Sequence, residues 1–347
     1  MNLRDLARTA RLSPSAVSLA LRGSSEVSAA TRERVRRLAE EAGYRPDPAI
    51  AQVMRRLRRP EALRQTACFA VISFYDTPHP WERSRHLTLI HAGMRRRADE
   101  LGYRLEPLWL KAPGMTYRRF RSVLDTRAIE GLLCFGSPDF DQEFPAELDH
   151  YAIVTVGLSI HTPLHRVTSH FYHDTVRALD EVRRLGYRRP GMVVGRYEEA
   201  RTGHAHTAAY LGWCEHAFGP RQALPVYLDS DGDEEPFLRW LGEQRPDVLV
   251  LAQLPQMLPR LKSLLDRRRI KVPAQLGIAA LSHLLDGTGF SGLQQNQDLI
   301  GAWMVEMLVG RVASRDFGIP AIPRLEMVQG RWIDGKTLRH RGTQQLS

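Results

Sequence analysis

Apolar residues recur every three to four positions along the first forty residues, which is the spacing of one helix face. The pattern predicts a helix that ends at Ala10 and a second helix over Pro14–Leu21. A third helix starts at Ser28 and stops at Gly43. Ser13 favours a helix start, because its hydroxyl can accept a hydrogen bond from a free amide. Two short helices joined by a tight turn, with a third against them, predict a helix-turn-helix module.

A proline-rich stretch, residues 44–48, follows this module and bars a continuous helix. Residues 49–57 could form one short helix, and an arginine-rich run that ends at Pro60 comes after it. We therefore expect a helix-turn-helix unit over residues 1–48 and a short helix with a linker over residues 49–66.

After residue 66, short apolar runs alternate with amphipathic segments. The predicted strands are residues 68–75, 131–135, 153–156, 191–194, 248–251 and 277–281. The predicted helices include residues 87–101, 174–185 and 258–267. This alternation is typical of parallel sheets with helices on both faces. It predicts an α/β core over residues 67–347.

Composition indicates a class of protein and a class of partner. With 347 residues, of which 43% are apolar and 25% charged, the chain has the composition of a globular protein of several domains. The formal net charge is +10, but residues 1–66 hold 14 Arg, no Lys and seven acidic residues, which places +7 there. A local basic excess indicates a polyanionic partner, and we expect nucleic acid before a membrane surface.

The cysteines and the apolar runs argue against other classes. Cys68, Cys134 and Cys214 are odd in number and far apart, which favours free buried thiols over a disulfide framework or a metal site. No signal peptide is visible, and no apolar run approaches the roughly 18 residues of a membrane span. We expect a cytoplasmic protein with no membrane contact.

Two motifs suggest other chemistry but lack the context that it needs. Residues 287–292 match G-x-G-x-x-G, yet they lie late in the chain, whereas a dinucleotide site needs these glycines in the first strand-helix turn. Residues 229–233 alternate Asp with other residues, as a calcium loop does. Glu234, however, stands where that loop needs Gly, and Trp240 where it needs Glu. The sequence predicts a loop and a solvated turn, and no enzyme, metal or cofactor.

A set of short motifs occurs at a characteristic spacing along the chain. In the first part they are Asp5-Leu6-Ala7, Leu12-Ser13, Val17-Ser18, Gly23, Val27-Ser28, Thr31-Arg32-Glu33-Arg34-Val35 and Gly43-Tyr44-Arg45-Pro46. Weaker matches continue through Leu101-Gly102-Tyr103, Leu185-Gly186-Tyr187 and Val272-Pro273. Over nearly its whole length the chain resembles the lactose-repressor (LacI/GalR) family of bacterial transcription regulators.

The resemblance implies a fold. It implies an N-terminal helix-turn-helix headpiece and a periplasmic-binding-protein-like core of two doubly wound parallel-sheet subdomains, between which the chain crosses three times. The first subdomain would cover about 67–165 plus 290–320, and the second about 166–289 plus 321–347. A small-molecule effector would bind in the cleft between them.

The resemblance also implies which residues contact DNA. The second helix would enter the major groove, where base edges present a readable pattern. Matching positions put Pro14, Ser15, Ser18 and Leu19 toward the bases, and Leu3, Arg22, Ser28, Thr31 and Tyr44 toward phosphates or groove walls, with Ser13 counted among the DNA-binding residues. Leu19 stands where family members often carry Arg, so the operator sequence stays open. A helical domain used for protein contact is the alternative.

In the family, a leucine of the hinge helix wedges into the minor groove and kinks the duplex. Counting from Tyr44 places Val53 at that position, with Ile50 one turn before it and Met54 as an alternative wedge. Val is shorter than Leu, which permits a weaker kink. An apolar stripe that packs on the core is the alternative.

The sugar-binding residues common in the family are replaced in this chain. Gly157 and Ser282 stand where Asp is common. His206 replaces the expected Arg, and Gln253 a usual Asn. We expect a polar, nearly neutral cleft. Its candidate lining residues are Tyr75, Asp76, Trp81, Ser159, His206, Gln253, Ser282, His283 and Gln297. The identity of the effector stays open. It could be a sugar held by amides and Trp81, a nucleobase-like ligand or another small ligand, and the core could also bind no effector.

The resemblance implies a transcription regulator, with repression as the first expectation, that binds a pseudo-palindromic operator as a homodimer under control of an effector. Residues 339–347 contain no leucine heptad, which disfavours a tetramer built on a terminal coiled coil. The alternative is a ligand-sensing, periplasmic-binding-protein-like module that binds no operator.

Overall fold

The computed structural model describes residues 3–21, 27–42, 67–139, 141–230, 233–252, 257–282 and 285–341. The chain divides into two units, Met1–Thr66 and Ala67–Ser347. Each unit has apolar clusters of its own, one in the N-terminal unit and several in the C-terminal unit.

Three helices make up the described part of the N-terminal unit. Helix α1 spans Leu3–Ala10, α2 spans Pro14–Leu21 and α3 spans Ala29–Glu41. Their facing sides bury a small core of Leu6, Ala7, Ala10, Val17, Ala20, Val35 and Ala39. The predicted helix-turn-helix arrangement is confirmed, because most of the apolar positions that predicted the helices meet in this core.

Serine side chains mark where α2 and α3 begin. Ser13 Oγ accepts a hydrogen bond from the Ala16 N–H at 3.1 Å, and Ser28 Oγ accepts one from the Thr31 N–H at 3.2 Å. Both bonds satisfy amides that have no partner inside their helix. After α1, Arg11 adopts a left-handed backbone with φ of +52°, which ends that helix and turns the chain toward α2.

Two six-stranded sheets form the described part of the C-terminal unit. In chain order the strands are β1 (Cys68–Ser73), β2 (Arg104–Trp109), β3 (Gly131–Cys134), β4 (Ala152–Val156), β5 (His165–Ser169), β6 (Pro190–Gly195), β7 (Tyr227–Asp229), β8 (Val248–Ala252), β9 (Gly277–Ser282), β10 (Ser291–Gln294), β11 (Leu325–Val328) and β12 (Arg331–Ile333). Sheet one has the order β11-β5-β4-β3-β1-β2, and its strands are parallel. Sheet two has the order β12-β10-β9-β8-β6-β7, and only β12 runs antiparallel to its neighbour.

Helices cover both faces of each sheet. They are α4 (Arg85–Glu100), α5 (Tyr117–Thr126), α6 (Phe171–Arg184), α7 (Arg196–Arg201), α8 (Ala205–Phe218), α9 (Glu234–Gln244), α10 (Met257–Arg267) and α11 (Gln297–Ser314). Along β1, Phe69 and Val71 belong to one apolar cluster, while Ala70 and Ile72 belong to the cluster on the other face. Because both faces are buried, the central strands are continuous apolar runs. The predicted α/β fold is confirmed.

The backbones of α4 and α11 touch at two glycines. A Cβ on Gly93 would lie 1.9 Å from the Asp298 carbonyl oxygen, and one on Gly301 would lie 2.0 Å from the Ile90 carbonyl oxygen. No side chain fits at either position. This close packing holds the start of α11 against α4.

The chain crosses between the two sheets after β5, after β10 and after β11. Hydrogen bonds tie the crossing segments together. The His170 N–H donates to the Val328 carbonyl at 2.9 Å, and Asn296 Nδ2 donates to the Gln329 carbonyl at 2.7 Å. The third crossing is also held by the Asp174 carboxylate, which accepts from the Gly330 N–H at 2.9 Å.

The subdomain segments expected from the sequence differ from the sheets in three places. Strand β5 belongs to sheet one because it pairs with β4, and β10 belongs to sheet two because it pairs with β9. Strand β11 belongs to sheet one because it pairs with β5. Each crossing therefore lies several residues later in the chain than expected. These three strands are short and partly polar, so no apolar run marks them in the sequence.

Two further findings concern the helices and the thiols. Among the described helices, none combines the length and the apolar character that crossing a membrane requires. Cys68, Cys134 and Cys214 are free thiols, as predicted, with Cys68 partly buried and the other two buried. No group of three His, Cys, Asp or Glu side chains within the described ranges is placed to hold a metal ion.

Candidate functional site

One face of α2 is open, and it carries residues predicted to contact DNA bases. Val17 and Ala20 point into the core. The helical repeat puts Pro14, Ser18 and Leu19 on the opposite side, where Pro14 is exposed and the other two are half-exposed. Helix α2 contains no charged residue. Its outer face can therefore offer hydroxyl groups and apolar contacts to base edges.

Hydroxyl groups lie at the start of α3. The Ser28 and Thr31 hydroxyl oxygens are 2.8 Å apart, and Ser28 is exposed. The first turn of a helix presents free N–H groups, to which phosphate oxygens bind readily. This helix start therefore suits the phosphate contact that the sequence predicts for both residues.

Several arginines of α1 and α3 pair with acids of their own helix. The pairs are Arg8 with Asp5 at 3.8 Å, Arg36 with Glu33 at 3.1 Å and Arg37 with Glu41 at 3.7 Å. All six side chains are well exposed. Exposed pairs of this kind are worth about 1 kcal/mol or less, so these arginines remain available to phosphates.

Part of the predicted DNA contact set lies outside the described residues. These positions are Arg22, Tyr44, Ile50, Val53 and Met54. The side chains of Leu3 and Ser15 also lie outside the description. Their roles stay predictions.

A small cleft of about 30 Å³ opens where the crossing segments meet the carboxyl ends of sheet one. Of the residues predicted to contact an effector, Tyr75, Ser159 and Gln297 line it. Tyr75 follows β1, Ser159 follows β4 and Gln297 begins α11, so the fold brings together residues far apart in the chain.

Trp81 and Asp76, which were predicted to line the cleft, lie elsewhere. Trp81 is 8% exposed, and its ring stacks with His91 at 4.3 Å and with Phe135 at 5.3 Å between centroids. The ring is packed into the protein rather than open to a ligand. Asp76 is exposed and pairs with Lys111 at 2.7 Å.

His206 and Ser282 are also absent from the cleft lining. His206 is fully buried, and its Nδ1 lies 2.8 Å from the Thr175 hydroxyl. Burial lowers the pKa of His206 to about 3, so the ring is neutral. Its neighbour Phe171, at 5.4 Å between ring centroids, lines the cleft in its place. Ser282 is buried at the end of β9, and the predicted residues Gln253 and His283 lie outside the described residues.

Arg201 lines the cleft, although it is not among the residues predicted to contact an effector. It is the last residue of α7, and its guanidinium lies 5.9 Å over the Tyr197 ring. Among the described residues it has no hydrogen-bond or ion-pair partner. Burial raises the pKa of Tyr75, and the nearby Arg201 charge opposes that shift. The expectation of a nearly neutral cleft is therefore wrong, because this cation comes from a position five residues before His206.

Two buried glutamines form a pair in the cleft wall. Gln297 Nε2 donates to Gln295 Oε1 at 2.9 Å. Gln295 Nε2 and Gln297 Oε1 have no partner among the described residues, although the two side chains are only 4% and 2% exposed. Unpaired buried amide atoms cost free energy. Because both side chains line the cleft, a ligand there can supply the missing partners.

A family model matches the N-terminal part of the chain. Residues 2–47 match the model described as bacterial regulatory proteins, lacI family. These residues form a lacI-family domain. No curated protein matches the chain.

Solved structures of lacI-family regulators have a similar fold. A complex of the transcriptional regulator CelR with cellobiose is 19% identical, over 97% of this chain and 99% of that one, with a TM-score of 0.57. A lac repressor dimer bound to operator and the anti-inducer ONPF is 17% identical, over 97% and 98% of the two chains, with a TM-score of 0.57. A periplasmic binding protein/LacI transcriptional regulator from Alkaliphilus metalliredigens, complexed with D-xylulofuranose, is 12% identical, over 78% and 98%, with a TM-score of 0.55.

The predicted resemblance to the lacI family is confirmed by the matching domain and by these neighbours. The same neighbours agree with a periplasmic-binding-protein-like core. Within the lacI-family domain, the open face of α2 is uncharged and includes Leu19. Within the core, the cleft lining includes the positively charged Arg201.

Proposed function

We propose that the protein is a transcriptional repressor that binds a pseudo-palindromic operator as a homodimer. The observation that carries this proposal is the open, uncharged face of α2 within a lacI-family domain. A helix fits the major groove, where hydroxyl and apolar groups can read base edges. The Arg-rich surroundings supply the phosphate contacts that position the helix.

A dimer is proposed because one α2 reads only a short half-site. Two copies related by a two-fold axis read two half-sites roughly one helical turn or more apart, which makes the operator a pseudo-palindrome. The similar lac repressor structure is a dimer bound to operator. Since chromosomal DNA lies in the bacterial cytoplasm, the proposal places the protein there.

Control by a small molecule in the cleft is the third part of the proposal. The similar CelR structure holds cellobiose, and the Alkaliphilus protein holds D-xylulofuranose. A ligand that binds between the two sheets changes their relative position at the three crossings, and residues 49–66 pass this change to the headpiece. Ile50, Val53 and Met54 act there as minor-groove contacts. The ligand can drive this change only through different affinities for the two arrangements.

A mobility-shift assay tests the proposal on fragments from the chain's own promoter region. We expect the full chain to bind one fragment, with an affinity that falls steeply as salt rises. Ser18→Glu puts a negative charge on the open face of α2 and should abolish binding. Ser314→Glu, the same change at the exposed end of α11, is the matched control and should leave binding intact.

A chain that starts at Ala67 should not bind DNA, because it lacks the lacI-family domain. Equal binding by this shorter chain would contradict the proposal, as would the absence of any shift at low ionic strength. A protein that binds small ligands but no DNA would instead be the ligand-sensing module that the sequence left open.

A further inference from the structure

The lining of the cleft has a distinctive charge composition. It contains one Arg, one His and several hydroxyl and amide groups, and none of its described residues is acidic. The segments 253–256 and 283–284, which follow β8 and β9 outside the description, contain no acidic residue in their sequence. A cleft made for neutral polyols through carboxylate acceptors would need such residues.

The charges around Arg201 leave its guanidinium available. Glu198, on the same short helix, influences it electrostatically but forms no hydrogen bond with it and does not line the cleft. Glu199 is buried, and its carboxylate lies 3.5 Å from His204 Nδ1. Among the described residues, no carboxylate forms a hydrogen bond or an ion pair with Arg201.

Arg166 shows what a satisfied arginine looks like in this region. Its guanidinium donates to the carbonyl oxygens of Leu164, Gly157, Ile160 and Thr162, at 2.9 to 3.4 Å. Every one of these partners is a neutral carbonyl group. Arg166 thus adds positive charge next to the cleft-lining Gly157, while its N–H groups donate hydrogen bonds to backbone carbonyl groups.

The glutamine pair adds a second recognition element. Its free atoms are one donor, Gln295 Nε2, and one acceptor, Gln297 Oε1. A hydroxyl group both donates and accepts, so it can pair both atoms at once. A guanidinium has planar N–H donors that match the two oxygens of a carboxylate or a phosphate.

We infer that the effector is a small organic anion, with a carboxylate or phosphate group bound by Arg201 and a hydroxyl group bound by Gln295 and Gln297. This inference rests on the proposed function, in that it takes the cleft as the effector site. The hydroxyl groups of a neutral sugar can satisfy Arg201 donors as carbonyl groups satisfy Arg166, but only an anion also compensates the positive charges of both arginines. An anion without a hydroxyl would leave the two amide atoms unpaired.

The test uses the full chain and matched sets of sugars. Each set holds a neutral sugar, its uronic acid and its phosphate, for example D-glucose, D-glucuronate and D-glucose 6-phosphate, with the galactose, mannose and xylose series and simple hydroxy acids beside them. Thermal shift selects binders, because a bound ligand raises the melting temperature by mass action. Calorimetric titration then measures affinity, and the acid and phosphate arms distinguish the two sources of negative charge.

The matched variants are Arg201→Gln and Arg196→Gln. Both remove one positive charge from α7, but Arg196 is exposed, donates to Ser230 Oγ at 3.0 Å and does not line the cleft. We expect a saturable anionic binder whose affinity falls about 10- to 100-fold in Arg201→Gln, as for loss of a charged hydrogen bond. Arg196→Gln should change it less than about twofold.

Three results would overturn the inference: neutral sugars that bind while anions do not, anion binding that Arg201→Gln leaves unchanged, or no binder among the anions of the panel. The mobility-shift assay without ligand separates this outcome from failure of the proposed function. A protein that shifts operator but binds no anion refutes the inference alone. A protein that binds an anion but shifts no DNA refutes the proposed function alone.

Discussion

The Tyr197 hydroxyl donates a hydrogen bond to the carbonyl oxygen of Pro138. Tyr197 lies on α7, which follows β6 of sheet two, and Pro138 follows β3 of sheet one. The bond therefore joins the two halves of the C-terminal unit beside the cleft-lining Arg201. The arrangement of the two halves is held in part by one exposed hydrogen bond.

Tyr197→Phe should loosen this connection. The loss of one hydrogen bond removes about 0.5–1.5 kcal/mol, so we expect amides of the loop after β3 to exchange with solvent about 2- to 10-fold faster. Hydrogen-exchange mass spectrometry of peptides that contain Ser137 and Asp139, whose N–H groups bond to Ser159 Oγ and Ser137 Oγ, measures the change.

Tyr172→Phe is the control for this prediction. Tyr172 is 51% exposed on α6, and its hydroxyl forms no hydrogen bond with a described residue. The Tyr172→Phe variant should leave the rate of amide hydrogen exchange in the loop after β3 unchanged. If Tyr197→Phe behaves like this control, the bond to Pro138 does not hold the halves together.

Asp174 should make stability depend on pH. Burial raises its pKa to about 6, against the opposing effects of the Gly330 N–H and Arg177. The folded protein thus binds this proton more tightly than the unfolded chain, so the stability contribution is present below about pH 4 and is lost as pH rises through about 6.

Asp174→Asn keeps an acceptor for Gly330 and removes the buried charge. Its unfolding free energy relative to the natural protein, followed by thermal unfolding, should therefore be higher at pH 7.5 than at pH 4.5, by about 2 kcal/mol. Asp99→Asn, at an exposed position of α4, is the control. The same difference at both pH values for Asp174→Asn would contradict the assignment.

Gly301→Ala should destabilise the C-terminal unit. The new Cβ would lie 2.0 Å from the Ile90 carbonyl oxygen, so α4 and α11 must separate, at a cost of at least about 1–3 kcal/mol. Gly310→Ala lies on the same helix with no atom within 4 Å of the new Cβ, and should stabilise by about 0.5–1 kcal/mol. Thermal unfolding compares the two variants, and equal melting temperatures would show that the helices are not in close contact.

Leu19→Arg should change which base the headpiece reads. Arg is the usual bidentate reader of guanine, whereas Leu offers only apolar contact, for example to a thymine methyl. Selection of binding sites from random DNA should yield a guanine in each half-site for Leu19→Arg alone. Leu19→Ala, the control, should weaken binding without this new guanine. Identical selected sites for all three proteins would mean that Leu19 does not face the bases.

Local features were predictable because they depend on neighbours in the chain. Ser13 and Ser28 start helices as predicted, since a capping serine bonds amides only three residues away. The six predicted strands are the central ones, whose residues are almost all buried. The edge strands β2, β7, β11 and β12 were missed because their residues are largely exposed or half-exposed and show no apolar run.

The sequence by itself therefore determined the helix-turn-helix, the α/β core and the family resemblance, because helix caps, helical spacing and buried apolar runs are short-range signals. Only the tertiary structure decided the composition of the cleft. Gln295, Gln297 and Arg201 line one cleft because three crossings bring distant segments together, whereas His206 and Trp81 are buried away from it. Such contacts depend on pairing between strands that are far apart in the chain. A pattern of neighbouring residues does not predict that pairing.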